Sequence, residues 1–160
     1  MEDVGIHALV SVAFVAGAHS TAALIERTPG AALGAHFSVS NTKLASVIAW
    51  SDQRVGVDLE IVRRRPHLDR LARRTMHDDE YDRWGSAADR DRSFAQHWTR
   101  VEAYLKAIGM GVAGGYLTRP GAEWSVIDLD LEPPFVGAIA LEALDPVVSV
   151  RWATAHETSR

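Results

Sequence analysis

The sequence predicts an α+β domain in which an antiparallel sheet packs against a long helix. Three observations lead there: β-rich runs before residue 62, helical spacing between residues 66 and 108, and three strand-like runs after that. Strands, then helices, then strands is the pattern of segregated layers, not of strand and helix alternating around a parallel sheet.

Residues 6–15 form an apolar run that suits either a helix or a strand, and HSTAALIERTPGAALG, residues 19–34, reads as a polar connection containing Gly and Pro. Residues 44–50 and 55–62 are β-rich, and the Ser-Asp-Gln-Arg between them reads as a hairpin turn. Pro66 suits a helix start, with Leu68, Leu71 and Ala72 at helical spacing, and a second helix begins near Asp78. The clearest helix covers residues 89–108, where Phe94, Trp98, Val101, Leu105 and Ile108 recur at spacings of four, three, four and three and form the expected core stripe. Gly109, Gly111, Gly114 and Gly115 end it. EWSVIDLDL (123–131), PFVGAIALEA (134–143) and PVVSVRWATA (146–155) are the closing strand candidates.

A chain of 160 residues, 47% apolar and 24% charged, suits one domain or two tightly joined lobes. The expected division is residues 1–50 as an N-terminal lobe and 51–160 as a C-terminal lobe. No apolar run approaches the roughly 20 residues of a membrane span and no basic flank marks a signal peptide, so a cytoplasmic location is expected. The absence of cysteine excludes disulfides and thiolate ligands, leaving oxygen or imidazole for any metal, and the seven histidines lack the paired spacing of a zinc site. Arg63, Arg64, Arg65, Arg70, Arg73 and Arg74 crowd one segment, ahead of Asp78, Asp79, Glu80 and Asp82. That block reads as a solvated face or as a surface for an anionic partner. With a net charge of −4 and no interleaved aromatics, nucleic acid is not expected.

VGVDLE, residues 55–60, alternates, so Asp58 and Glu60 point to one face of their strand while Val57, Leu59 and Ile61 point to the other. Carboxylates side by side raise each other's pKa unless a cation or strong donors compensate. With Glu102 brought near by the long helix, three carboxylates would make a hard oxygen site suited to magnesium and completed by substrate phosphates. Such a site supports phosphoryl transfer, with a carboxylate taking the proton of an attacking hydroxyl. An alternating edge strand accounts for Asp58 and Glu60 equally well, and Glu102 with Lys106 also reads as an i,i+4 surface pair.

Taken in order, HFSVSNT (36–42), VGVDLE (55–60) and FAQHWTRVEAYLKAIGMG (94–111) resemble motifs of the 4′-phosphopantetheinyl transferases of the surfactin-synthetase-activating type. Those motifs read roughly F-S-x-S-H-S, V-G-V-D-x-E and W-x-x-K-E-A-x-x-K-x-x-G. The resemblance covers nearly the whole chain, with the first lobe shortened. It implies that family's fold, magnesium and coenzyme A as cofactors, and transfer of 4′-phosphopantetheine to a serine of an acyl or peptidyl carrier protein. Carried over, Asp58, Glu60 and Glu102 would be the metal ligands and catalytic acids, with Glu102 also the base or its organiser. Ser40, Asn41, Lys43 and Lys106 would stand around the cofactor, Lys106 facing its phosphates. The arginine block would receive the acidic carrier protein.

The chain departs from the pattern at three places: the lysine before the motif glutamate is Val101, the motif histidine is Asn41, and the G-K-P stretch is PGAALG, residues 29–34. Charge-assisted contacts to phosphate are worth about 1.5–3 kcal/mol each, and Lys43, Arg54 and Arg100 are the nearby cations that stand to replace them. Retained acids with lost cations set two expectations beside the transferase. One is a repurposed member of the fold in secondary metabolism, performing cyclisation, condensation or elimination on a polyketide- or peptide-derived substrate. In it Asp58, Glu60 or Glu102 would be assisted by His36, Asn41 or His97. The other is a non-catalytic module that docks on a carrier protein. Val101 also reads as a plain member of the apolar stripe, and the short first lobe predicts a homo-oligomer or an open groove.

Overall fold

The computed structural model describes residues 8–28, 35–111 and 115–153. Strand β1 (Leu9–Ala16) leads to helix α1 (Thr21–Arg27) and strands β2 (His36–Asn41), β3 (Ala45–Ser51) and β4 (Val55–Ile61). Helices α2 (Leu68–Thr75), α3 (Asp78–Gly85) and α4 (Arg90–Ala107) follow, then strands β5 (Ser125–Asp128), β6 (Phe135–Leu141) and β7 (Val147–Ala153). Among the described residues these strands make a four-stranded sheet, β2-β3-β1-β7, and a three-stranded sheet, β4-β6-β5. Neighbours are antiparallel except β1 with β7. The architecture is α+β, and among the described residues no helix is long and apolar enough to cross a membrane.

The two sheets face each other across one core. Val10, Val12 and Phe14 of β1 meet Val47 and Ala49 of β3, Val57 and Leu59 of β4, and Ile139 of β6. Behind the first sheet, Leu24 of α1 covers Ala13, Val15, Ile48 and Trp50. Burial on both faces explains the near-continuous apolar runs of β1 and β3, and it settles β1 as a strand.

Three local expectations are corrected. Residues 44–50 and 55–62 do not form a hairpin: β3 pairs with β1 and β2, while β4 pairs with β6. Their apolar faces meet in the core, so the four-residue link carries the chain from one sheet to the other, and β7 later returns to the first. The segment read as a connection contains α1, which Ser20 caps by accepting from Ala23 N at 3.2 Å. With one fully buried side chain, Leu24, this helix is too short to show a periodic stripe.

The third correction concerns α4. Phe94 and Leu105 are buried as expected, but Trp98, Val101 and Ile108 are half-buried, and Ala95, Thr99, Ala103 and Ala107 are buried instead. Ala103 and Ala107 rest on Ala138 and Ala140 of β6. Small residues on both surfaces bring helix and sheet together closely. At Gly56 of β4 a Cβ would lie 2.0 Å from Ala103 O, so the second position of VGVDLE admits no side chain. Gly109, at φ +71, terminates the helical segment in the left-handed region; Gly114 lies outside the described residues.

Candidate functional site

β4 has β6 on one side and is the edge of its sheet, leaving the N–H groups of Val57 and Leu59 to other acceptors. Two serines of β2 serve them. Ser38 Oγ accepts from Val57 N at 3.1 Å, and Ser40 Oγ accepts from Leu59 N at 3.1 Å. Ser40 donates its own proton to Asp58 Oδ1 at 2.9 Å. A strand places residues i and i+2 on one face, so S-x-S is the spacing this clasp requires. Ser38 was not foreseen as part of it; the repeated serine was the available signal.

Val57 and Leu59 enter the core, and Asp58, 7% exposed, turns toward α4. Lys106 Nζ lies 2.8 Å from Asp58 Oδ1, 3.1 Å from Val57 O and 3.4 Å from Val39 O. Three acceptors match the three protons of an ammonium. Lys106, expected to face phosphates, is therefore turned onto the protein, because a buried carboxylate draws the nearest opposite charge.

Glu60 pairs with Arg65 Nη2 at 3.1 Å. Burial pushes the Glu60 carboxyl above its ordinary value, Arg65 opposes this, and Asp58 adds to it. Glu102 is shifted the same way, first by burial and then by Asp58, with Lys106 opposing and Glu60 adding. Its Oε1 is buried without a hydrogen-bond partner. Such an oxygen is costly unless a proton or cation compensates, so the cluster is short of positive charge. The all-carboxylate donor set has the chemistry of a hard cation such as magnesium. Among the described residues, however, no three His, Asp or Glu side chains are arranged as they stand to hold a metal ion.

Beside the acids lies a cleft of ≈ 600 Å³ lined by Asn41, Thr42, Lys43, Leu44, Leu59, Glu60, Ile61 and Arg63. Small-molecule sites occupy about 300–1,000 Å³. The cleft joins the end of HFSVSNT to the end of VGVDLE and adds Arg63, which the arginine block had concealed as a site residue. Other expected helpers are engaged elsewhere. Arg54 forks onto Glu142 at 2.6 and 2.5 Å, and Arg100 onto Asp128 at 2.6 and 2.5 Å, so both guanidiniums are paired with other carboxylates. His97 Nε2 sits 2.8 Å from Thr75 O, in a second cavity of ≈ 390 Å³ that Val101 also lines. Burial lowers the His97 pKa, opposed by that hydrogen bond. His36 is exposed at the start of β2, and residues 29–34 lie outside the described residues.

Comparison with known proteins places the sequence in a family. A family model for the 4′-phosphopantetheinyl transferase superfamily matches residues 54–157. Over 82 residues the chain is 37% identical to a putative 4′-phosphopantetheinyl transferase of Synechocystis sp., covering 49% of this chain and 33% of the relative. Over 83 residues it is 36% identical to the 4′-phosphopantetheinyl transferase HetI of Nostoc sp., covering 50% of this chain and 35% of the relative. These matches span about a third of each relative's length. Among solved structures, the holo-[acyl-carrier-protein] synthase of Thermotoga maritima aligns with a TM-score of 0.44 and 23% identity, over 56% of this chain and 63% of that one. The family match takes in Asp58, Glu60, Glu102 and Lys106 and most of the chain, and the protein therefore belongs to the 4′-phosphopantetheinyl transferase superfamily.

Proposed function

We propose that the protein transfers 4′-phosphopantetheine from coenzyme A to a serine hydroxyl of an acyl or peptidyl carrier protein in the cytoplasm. The observation that carries this reading is that Glu102 lies within electrostatic reach of Asp58 and Glu60, and that Glu60 lines a cleft together with Lys43 and Arg63. Both cations line the cleft beside Glu60, on which Arg63 acts electrostatically, and both stand within it for the cofactor's phosphates. Asp58, Glu60 and Glu102 would hold magnesium, which when bound neutralises the diphosphate. Glu102, kept above its ordinary pKa by burial and neighbouring acids, accepts the serine proton. The serine oxygen bonds to the phosphorus that bears the pantetheine arm, and the bond from that phosphorus to the bridging oxygen breaks, releasing adenosine 3′,5′-bisphosphate. Arg64, Arg70, Arg73 and Arg74, all exposed on and before α2, supply a basic face for an acidic carrier.

Incubation with magnesium, coenzyme A and several apo carrier proteins is expected to add the phosphopantetheine mass to a carrier, and Glu102→Gln is expected to abolish the gain. No gain, with no coenzyme A binding by calorimetry, overturns the reading. One observation favours a second: Val101 offers no cation and Lys106 is engaged by Asp58, which leaves fewer charges for a diphosphate. Under it, Glu102 performs acid–base chemistry on a polyketide- or peptide-derived chain. Turnover of such a substrate without coenzyme A, lost in Glu102→Gln, supports that alternative.

A further inference from the structure

The carboxylate of Asp58 receives two donors on one oxygen, the Ser40 hydroxyl at 2.9 Å and the Lys106 ammonium at 2.8 Å. Lys106 keeps 32% of its side chain exposed, against 9% for Asp58. Arg65 serves Glu60, and among the described residues Lys106 is the cation that acts on both Asp58 and Glu102. Yet the Glu102 oxygen Oε1, one turn earlier on α4, is buried without a donor. One ammonium is thus placed against two carboxylates and satisfies one of them. A monovalent and a divalent cation a few ångströms apart repel, so a divalent ion on the Asp58 carboxylate loosens the ammonium's hold on it. The lysine stem is flexible and its exposed side gives it somewhere to go.

Given the transferase reading above, on which the identity of the metal rests, we propose that Lys106 is an exchangeable counter-ion. Its ammonium holds Asp58 in the metal-free protein and leaves when a divalent cation binds the acids, becoming available to an anionic substrate. Metal binding then weakens the Lys106–Asp58 contact and, by reciprocity, that contact weakens metal binding.

The test uses magnesium alone, titrated by calorimetry into the full chain and into its Lys106→Met variant without coenzyme A or carrier. Lys106→Met is expected to bind magnesium about tenfold more tightly, within the usual span of coupled sites, and to recover with magnesium most of the melting temperature it loses. Equal or weaker affinity in the variant overturns the proposal, as does absence of magnesium binding in both proteins. If the variant does not fold at any magnesium concentration, the wild type decides: the NMR signal of the Lys106 ammonium must shift on magnesium saturation, and an unchanged signal overturns the proposal. Because neither measurement reads transfer, a protein that fails the carrier assay can still pass here, and the reverse.

Discussion

Replacing Gly56 with alanine adds one methyl group where β4 and α4 touch. The new Cβ would lie 2.0 Å from Ala103 O, 2.5 Å from Ala107 N and 3.0 Å from Ala107 Cβ. The first two atoms are backbone, so no rotamer change relieves the clash. A carbon–oxygen contact needs about 3.3 Å, which obliges α4 to retreat by about 1.3 Å at Ala103. Overpacking costs about 1–3 kcal/mol. With backbone on both sides the upper end applies, about 3 kcal/mol, or a fall of about 6–12 °C in Tm for a chain of this size. The same retreat carries Glu102 and Lys106, the neighbours of Ala103 on the helix, away from Asp58. A displacement of about 1 Å costs roughly 100-fold in a positioned reaction. Thermal melts followed by circular dichroism, with the transfer rate per folded molecule, measure both effects. A Gly56→Ala protein that melts with the wild type, or transfers at its rate, refutes this account of how α4 is seated.

Further outcomes follow from the charges and hydrogen bonds. The Glu102 carboxyl is raised above its ordinary 4.5 on folding, so its stabilising contribution is present below that value and lost as pH rises through the folded one. Glu102→Gln should therefore melt above the wild type at neutral pH while losing transfer, and the gap should close below about pH 4.5; melts across pH 4–8 check it. Ser40→Ala leaves Leu59 N–H without its acceptor and deprives Asp58 of a donor, at a cost of about 1–3 kcal/mol. Ser38→Ala removes one acceptor and costs less, so urea midpoints in the opposite order would contradict the clasp. His97 is lowered from 6.5 on folding, so its contribution is present above that value and lost as pH falls through the folded one. Unfolding midpoints at pH 5 and 8 should differ less in His97→Asn than in the wild type.

The acidic face of β4 was legible because alternation is a local code: burying Val57 and Leu59 turns Asp58 and Glu60 to the opposite face whatever packs there. The strand order was not legible. The runs around Val47 and Val57 look like hairpin arms, but each was drawn by long-range burial into a different sheet. Val101 was placed on the core stripe because a large apolar residue outweighs alanine in any periodic count, whereas close helix–sheet packing selects the alanines. Arg54 and Arg100 looked available near the motifs until the fold set Glu142 and Asp128 beside them.

By itself the sequence determines the α+β class, the family motifs and the shared face of Asp58 and Glu60, because periodicity and motif order are written within a few residues of each other. The tertiary structure alone decides that Lys106 lands on Asp58, that Glu102 keeps an unpartnered oxygen, and that Lys43 and Arg63 share one cleft. The reach of a long side chain depends on how closely α4 approaches β4. That distance is set where Gly56 meets Ala103, residues 47 positions apart in the chain, which no local pattern connects.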